Sequence, residues 1–428
     1  MAEHTSAGAR PGRLATASIV GTTLEYYDFA VYNMLAALVF NRLFFPSFDP
    51  LSGTLLAFST FAIGYVSRPV GGLIFGHLGD RYGRRFVLVA TLLLMGITTA
   101  LMGVLPTYEA AGIASPILLV LLRFVQGAAL GGEWAGAVLL SVEHGDPQRR
   151  GRNASWAQMG PSLGTLLATG SIALITLLLS PEEFIAWGWR LPFFASVVLV
   201  VFGLWIRSGV AETPLFRQVE QQRAKASAPL GEVVRNHWRG LLIGGGVRIG
   251  PDVLYSIAVA FSLSYMTTVL GLSRTLALIA LSAGGAVNAL SIPMFGALSD
   301  RWGRRVVYGA GAVLGLAWMF AFFPLLATKQ PALIVLAVVV ALTIHAMMYG
   351  PQAAFIAEQF PTRVRFAGAS LAYTLAGVIG GGIAPMISTA LVRAYDSSVA
   401  VSSYAAVALL ITCCVLWFAR ERAREPLS

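Results

Sequence analysis

The sequence predicts an all-α polytopic membrane protein, with twelve transmembrane helices in two six-helix halves related by a pseudo-two-fold axis. Three observations predict it. The 428 residues are 57% hydrophobic and 12% charged, with a mean hydropathy of +0.73, whereas soluble domains carry roughly 25% charged residues. Apolar runs of the length that crosses a bilayer as helix, about 20 residues, recur along the whole chain. Finally, Gly76-His77-Leu78-Gly79-Asp80-Arg81-Tyr82-Gly83-Arg84-Arg85 returns as Gly296-Ala297-Leu298-Ser299-Asp300-Arg301-Trp302-Gly303-Arg304-Arg305, a constant offset of 220 residues from 76 to 296 and from 85 to 305. A repeat of about half the chain length marks two similar halves.

The runs place spans at about 15–40, 53–76, 86–105, 115–139, 153–179, 190–207, 240–268, 275–297, 306–326, 331–352, 366–391 and 398–418. The first run holds Glu25 and Asp28 and continues past residue 36, so it reads as a retained span and not a cleaved leader. An even number of spans puts both termini on one side. Of the 30 Lys and Arg residues, only Arg42, Arg190, Arg274, Lys329 and Arg393 fall in the loops opposite that side, and Arg68, Arg123 and Arg248 fall within spans. This asymmetry makes the terminal side cytoplasmic, in a multi-pass protein of the cell's inner (plasma) membrane. It also explains the net charge of +10 without a nucleic-acid partner.

Residues 1–207 are then an N-terminal six-helix bundle, 208–239 a charged, partly helical cytoplasmic linker, 240–418 a C-terminal six-helix bundle, and 419–428 a cytoplasmic tail. One chain holds both halves, so a monomer suffices. Cys413 and Cys414 are neighbours in the last run and predict no structural disulfide.

The repeated stretch, Gly-x-x-x-Asp-Arg-x-Gly-Arg-Arg between two apolar runs, resembles the signature loop between helices 2 and 3 of the major facilitator superfamily. That resemblance implies the superfamily's fold and transport by alternating access. At the cytoplasmic ends of spans 4 and 10, Glu143 precedes Arg150 and Glu358 precedes Arg365 by the same seven residues. The second copy resembles the Pro-Glu-x-x-Pro-x-x-x-Arg segment of sugar porters, with Ala357 in place of the first proline. Asp80, Arg81, Arg84, Arg85, Glu143, Arg150, Asp300, Arg301, Arg304, Arg305, Glu358 and Arg365 thus form a ring of complementary charge. It is expected to act as a gate whose ion pairs lock the halves together in one state and break in the other.

A charge inside a span costs about 2.5–3.5 kcal/mol or more, so each needs a reason. Glu25, Asp28 and Tyr32 recur at i, i+3 and i+7 and share a face. Glu25 lies twelve residues past Arg13, about 18 Å along a helix and so near the middle of the bilayer. Burial and mutual repulsion favour the protonated form of such a carboxyl, which suits reversible proton binding. Span 4 carries Arg123-Phe124-Val125-Gln126-Gly127, then Gly131-Gly132-Glu133-Trp134. The glycines admit a close helix neighbour. Span 7 places Arg248, Asp252 and Tyr255 on one face. By repeat symmetry Arg248 answers Asp28 across a central cavity, with the intrahelical pair Arg248–Asp252 as the alternative. Span 10 places His345, Tyr349 and Gln352 on one face. Arg68, next to Pro69 near the inner end of span 2, reads as a snorkelling or bracing residue.

The run Gly-Thr-Thr-Leu-Glu25-Tyr-Tyr-Asp28-Phe, Ser-Arg68-Pro-x-Gly-Gly, and Arg123-x-x-Gln126-Gly followed by Gly-Gly-Glu133-Trp resemble one branch, the metabolite:proton symporters. Arg123-x-x-Gln-Gly resembles the helix-4 motif associated with proton coupling. The resemblance implies uptake of a small polar metabolite driven by protons, with no organic cofactor and no metal. Arg123 and Arg248 facing a cavity favour an organic acid anion, because guanidinium matches carboxylate bidentately. Glu25, Asp28, Glu133 and Asp252 supply proton sites. Tyr32, Gln126, Tyr255 and Tyr349 complete the expected site. A proline- or betaine-type zwitterion is the alternative, although osmosensing relatives are expected to carry a coiled-coil tail that is absent here. A drug:proton antiporter fits less well, since Gly160-Pro161-Ser162-Leu163-Gly164 gives only part of that class's helix-5 motif. The sequence contains no catalytic constellation, so an enzyme is not expected.

Overall fold

A computed structural model describes residues 11–82, 84–131, 134, 138, 146–208, 229–361, 364–423 and 425, with side chains at all of these except 11–18, 76–77, 79–88, 147, 203–208, 229–230 and 366. Among the described residues the chain is helical, with no strand.

The first half contains α1 (Pro11–Leu35, continued by a π turn Ala36–Phe40 and by Asn41–Phe44), α2 (Pro50–Tyr82), α3 (Arg84–Gly103), α4 (Ala114–Leu130), α5 (Arg150–Leu178) and α6 (Leu191–Ser208). The second contains α7 (Trp238–Ser256, continued to Val269 through two π turns), α8 (Arg274–Trp302), α9 (Arg304–Ala327), α10 (Pro331–Glu358), α11 (Arg365–Gly377, continued by Val378–Gly382 and Ala384–Tyr395) and α12 (Ser398–Phe418). Each falls on an expected span. Eight of them are long and apolar enough to cross a membrane by themselves. The expected linker lies largely outside the described residues, whose described part includes the short helix Pro229–Asn236.

The second repeated loop is a sharp turn. Gly303 has φ +94° and separates α8 from α9 with no other residue between them. A side chain at that φ is strained, which explains the glycine in Asp-Arg-x-Gly-Arg-Arg. Gly83, its counterpart, lies outside the described residues.

Within the first half α2 packs on α4. A methyl at Gly71 would collide with the carbonyl of Ala128, one at Gly127 with that of Gly64, and one at Gly131 with that of Arg68. Small residues at these positions let two spans touch backbone to backbone, as the sequence implied for Gly127 and Gly131. Gly132 lies outside the described residues. Between the halves, α5 runs along α8 and α2 along α11. A methyl at Gly151 would lie 2.6 Å from the carbonyl oxygen of Gly296. Farther along, Ser162 Oγ donates to Asn288 Oδ1 at 2.6 Å, and Tyr255 Oη donates to Thr165 Oγ1 at 2.9 Å.

Candidate functional site

The centre of the molecule holds a small cavity of about 20 Å³, lined by Thr22, Glu25 and Tyr26 of α1, Arg68 of α2, Trp134 just beyond α4, and Tyr373 and Thr374 of α11. Residues from both halves therefore meet around it. Trp134 and Tyr373 stack across the halves, with centroids 3.5 Å apart and planes 11° from parallel. Trp134 Nε1 donates to Gln158 Oε1 at 2.9 Å, which fixes the indole. The space is about one water's worth, so a substrate enters only when this stack separates.

Arg68 is the cation of the cavity. Its side chain is buried, and its Nε and Nη2 have no hydrogen-bond partner among the described residues. The guanidinium lies 4.4 Å from the centroid of Phe29 and 4.0 Å from that of Tyr65. Aromatic faces stabilise a desolvated cation by about 2 kcal/mol, yet they leave its N–H donors unsatisfied. The sequence reading of Arg68 as a snorkelling residue is therefore corrected: its head group is buried, packed between Phe29 and Tyr65. The charge stays inside because α2 turns this face onto Phe29 of α1 and because Gly71 and Gly131 bring the backbone close to α4.

Arg123 is not at the cavity, contrary to expectation. It is fully buried within the first half. Nη1 donates to Gln126 Oε1 at 2.6 Å and Nη2 to Asn33 Oδ1 at 2.9 Å, while Gln126 Nε2 donates to Thr99 Oγ1 at 2.7 Å. Phe29 and Tyr32 cover the guanidinium at 3.8 and 4.0 Å. Arg-x-x-Gln places both side chains on one face of α4, and together they tie α1, α3 and α4. Tyr32 is likewise fully buried, with its hydroxyl 2.5 Å from Thr60 Oγ1. Phe29 lies between the two guanidinium groups of Arg68 and Arg123.

The face shared by Glu25, Asp28 and Tyr32 serves three surroundings. Glu25 borders the cavity. Asp28 is buried beside the hydroxyls of Thr99 and Ser196, with Oδ1 lacking a hydrogen-bond partner among the described residues. Arg248 does not wait for Asp28. Its Nε lies 2.8 Å from Asp252 Oδ2, which is the intrahelical alternative. Its Nη1 also donates to the carbonyl of Tyr373, and its guanidinium covers the Tyr373 ring at 3.2 Å. Tyr373 thus has Arg248 on its ring and Trp134 stacked against it. The Tyr373 hydroxyl is 3.4 Å from those of Tyr26 and Tyr349. Tyr255 lies 4.8 Å from His345 with the rings tilted by 42°, and His345 stacks on Tyr349 at 4.9 Å. Gln352 donates to Tyr308 Oη at 3.0 Å. Glu133 lies outside the described residues. Tyr26, Trp134 and Tyr373 were not singled out from sequence, since an aromatic in an apolar run carries no charge signal.

Beyond the cavity, at the end that carries the repeated loop, charged groups join the halves. Asp300 accepts from the backbone N–H groups of Gly151 and Arg152 at 2.8 and 2.9 Å, an acid at the start of a helix where the dipole favours it. Arg304 Nη1 lies 2.7 Å from Asp300 Oδ1 and its Nη2 3.3 Å from Glu358 Oε1. Glu358 Oε1 also lies 3.6 Å from Arg150 Nη1 across the halves. Arg150 Nη2 donates to the carbonyls of Ala423 and Glu425. Arg365 Nε donates to the carbonyls of Ala357 and Phe360. Arg301 is exposed, and Arg305 Nη2 donates to Trp417 O at 3.1 Å. Glu143 lies outside the described residues, and Asp80, Arg81, Arg84 and Arg85 outside the described side chains.

At the opposite end the halves are bridged by Asp49 and Arg393, 3.5 Å apart with about half of each side chain exposed (52% and 50%). Ser52, through its hydroxyl and its backbone N–H, holds the Asp49 carboxyl below the ordinary carboxylate range. Exposed pairs contribute about 0–1 kcal/mol. The Glu358 pairs are 1–4% exposed, and loss of one partner from a buried pair costs about 3–5 kcal/mol. Removal of one partner is therefore far more costly at the loop end.

Two six-helix halves enclosing a charged, aromatic-walled cavity, with contacts between the halves on both sides of it, are the architecture of a membrane transporter. The chain belongs to the major facilitator superfamily, among its metabolite transporters. The family described as "Sugar (and other) transporter" matches residues 14–239, and "Major Facilitator Superfamily" matches residues 252–428. The chain is 42% identical to the shikimate transporter of Escherichia coli K12, over 91% of this chain and 90% of that protein. It is 38% identical to the inner membrane metabolite transport protein YhjE of the same strain, over 99% and 97%. It is also 33% identical to the glycine betaine/proline/ectoine/pipecolic acid transporter OusA of Dickeya dadantii, over 96% and 84%. Among solved structures, the partially occluded inward-open xylose transporter XylE of E. coli superimposes with a TM-score of 0.77 at 19% identity, covering 97% of this chain and 99% of that one. That likeness supports the twelve-helix, two-half fold.

Proposed function

We propose that this protein is a proton-coupled symporter that takes up a small organic acid anion by alternating access. It acts as a monomer in the cell's inner membrane, with both termini cytoplasmic. The observation that carries this reading is the buried guanidinium of Arg68, whose Nε and Nη2 lack a hydrogen-bond partner among the described residues, in the same cavity as Glu25. A buried donor without a partner costs about 1–3 kcal/mol, and more when charged. A carboxylate arriving on Nε and Nη2 removes that cost with a bidentate pair. Glu25 borders the same space and repels a second carboxylate until it binds a proton. Proton and anion therefore enter together. The name of the shikimate transporter, a carrier of a small hydroxylated carboxylate, agrees with this class.

The charged groups at the loop end act as the cytoplasmic gate in this scheme. Asp300, Glu358, Arg150 and Arg304 hold the halves together when the cavity faces outward.

A betaine-type zwitterion is the second reading. Tyr26, Trp134 and Tyr373 line the cavity, and aromatic faces attract a quaternary ammonium while Arg68 takes the carboxylate. Trp134 emission in detergent separates these readings, because any ligand must part it from Tyr373. Shikimate and other small carboxylates are expected to change the emission, while glycine betaine and the corresponding amides leave it unchanged. Trp134→Phe removes the signal. A response to betaine alone overturns the organic-anion reading in favour of the second.

A further inference from the structure

A second, larger space lies away from the transport path, between α9 and α12 at the loop end. It holds about 470 Å³, against about 20 Å³ in the central cavity. Val306, Gly309 and Val313 of α9 form one wall, and Cys413 and Leu416 of α12 the other. Val306 and Val313 are 59% and 62% exposed. In a spanning helix such apolar exposure faces acyl chains. Gly309 is what keeps the groove open. A methyl there would meet nothing within 4 Å, and its φ is not in the left-handed region. Neither packing nor backbone conformation requires the glycine.

The rim has a different chemistry. Trp302 and Trp417 stand exposed on either side, and tryptophan favours the level of the lipid headgroups. Arg305 lies between them and uses Nη2 on the carbonyl of Trp417, leaving most of its five donors available. Arg420, also exposed, neighbours the rim residues in sequence. Among the described residues that line the groove the one acid is Glu421, which accepts from the backbone N–H of Arg305 at 2.9 Å. Arg305 and Arg420 against Glu421 leave a positive mouth above an apolar trough.

We propose that this groove binds an anionic phospholipid, with an acyl chain along Gly309 and the phosphate at Arg305 between the two tryptophans. Basic pockets between transmembrane helices hold anionic headgroups in this way. The site is separate from the substrate cavity and does not depend on which metabolite is carried. Its occupant also sits at the root of the tail, whose carbonyls at Ala423 and Glu425 are held by Arg150 of the other half. A bound lipid is placed to steady that strap.

The test uses the full chain, purified in detergent and examined by native mass spectrometry with added phosphatidylglycerol or phosphatidylcholine. Phosphatidylglycerol adducts are expected to exceed phosphatidylcholine adducts by about five-fold or more, the effect of one arginine near an anionic lipid. Arg305→Gln is expected to remove most of that preference. Gly309→Leu, which fills the trough, is expected to reduce adducts of both lipids. Equal retention of the two lipids by the unaltered protein, or adducts insensitive to Gly309→Leu, overturns the proposal. Cys413 supplies an independent readout should Gly309→Leu express poorly. In a Cys414→Ser background, vesicles containing phosphatidylglycerol are expected to slow maleimide labelling of Cys413 more than vesicles of phosphatidylcholine alone. Equal labelling rates count against the site.

Discussion

Arg68→Gln is expected to raise the KM for the organic acid by about 10- to 150-fold. That range is the factor for losing a charge-assisted hydrogen-bonding partner of about 1.5–3 kcal/mol. The reason is specific to its setting. Arg68 is buried between Phe29 and Tyr65 with Nε and Nη2 unsatisfied, so in the empty protein it bears a cost that only an anion relieves. Glutamine occupies similar space without the charge, and it keeps part of the packing against the two rings. Arg68→Lys keeps the charge but not the fork and is expected to fall between the two. Initial rates of labelled uptake into proteoliposomes across a substrate series measure this. An unchanged KM in Arg68→Gln removes Arg68 from the site. A fall in the maximal rate alone assigns it to the conformational change instead. Arg123→Gln carries the contrary expectation. It unties Asn33 and Gln126, leaves Tyr32 without its cation and leaves Phe29 with Arg68 alone. Its main effect should be on the stability of the first half.

The second large effect is expected at Glu358. Its carboxylate faces Arg150 across the halves and Arg304 within its own half, with side-chain exposures of 1–4%. Glu358→Gln leaves two arginines buried with reduced compensation, at about 3–5 kcal/mol. That penalty falls only on conformations closed at the loop end, because opening returns both arginines to water. The loop-end-open population is therefore expected to grow by at least about 100-fold relative to the closed one. A cysteine placed at the buried seam residue Ser299, in a background without Cys413 and Cys414, should react correspondingly faster with a maleimide when Glu358→Gln is present. Arg393→Gln at the opposite end removes a half-exposed pair, and labelling at that seam should change by less than about five-fold. Equal effects at the two ends contradict the difference in pairing described here.

Much of the fold was legible in the sequence because lipid imposes a simple rule. Every span must be apolar and helical, so hydropathy and a repeat at about half the chain length give the count and the halves. Even the turn glycine of the repeat has a visible cause at Gly303. The site was legible only as a set of charges. Sequence spacing put Arg248 and Asp252 on one face, and they pair. It could not say that Arg123 turns into its own half towards Asn33, ninety residues away in the chain, while Arg68 turns towards the cavity. That difference depends on how α2 and α4 rotate about their glycine contact, which is a tertiary property. The aromatic groups were harder still. Trp134 and Tyr373 lie in different halves, so their stacking depends on how the halves pack together.

Proton flux tests the central claim most directly. Proteoliposomes loaded with a pH-sensitive dye, with the pH equal on both sides, receive shikimate or another small carboxylate from outside. The account predicts internal acidification that depends on substrate. Glu25→Gln should abolish the acidification while exchange of labelled substrate continues, and Arg68→Gln should weaken it in step with uptake. Uptake of the carboxylate with no accompanying acidification in the unaltered protein would contradict coupling through this cavity.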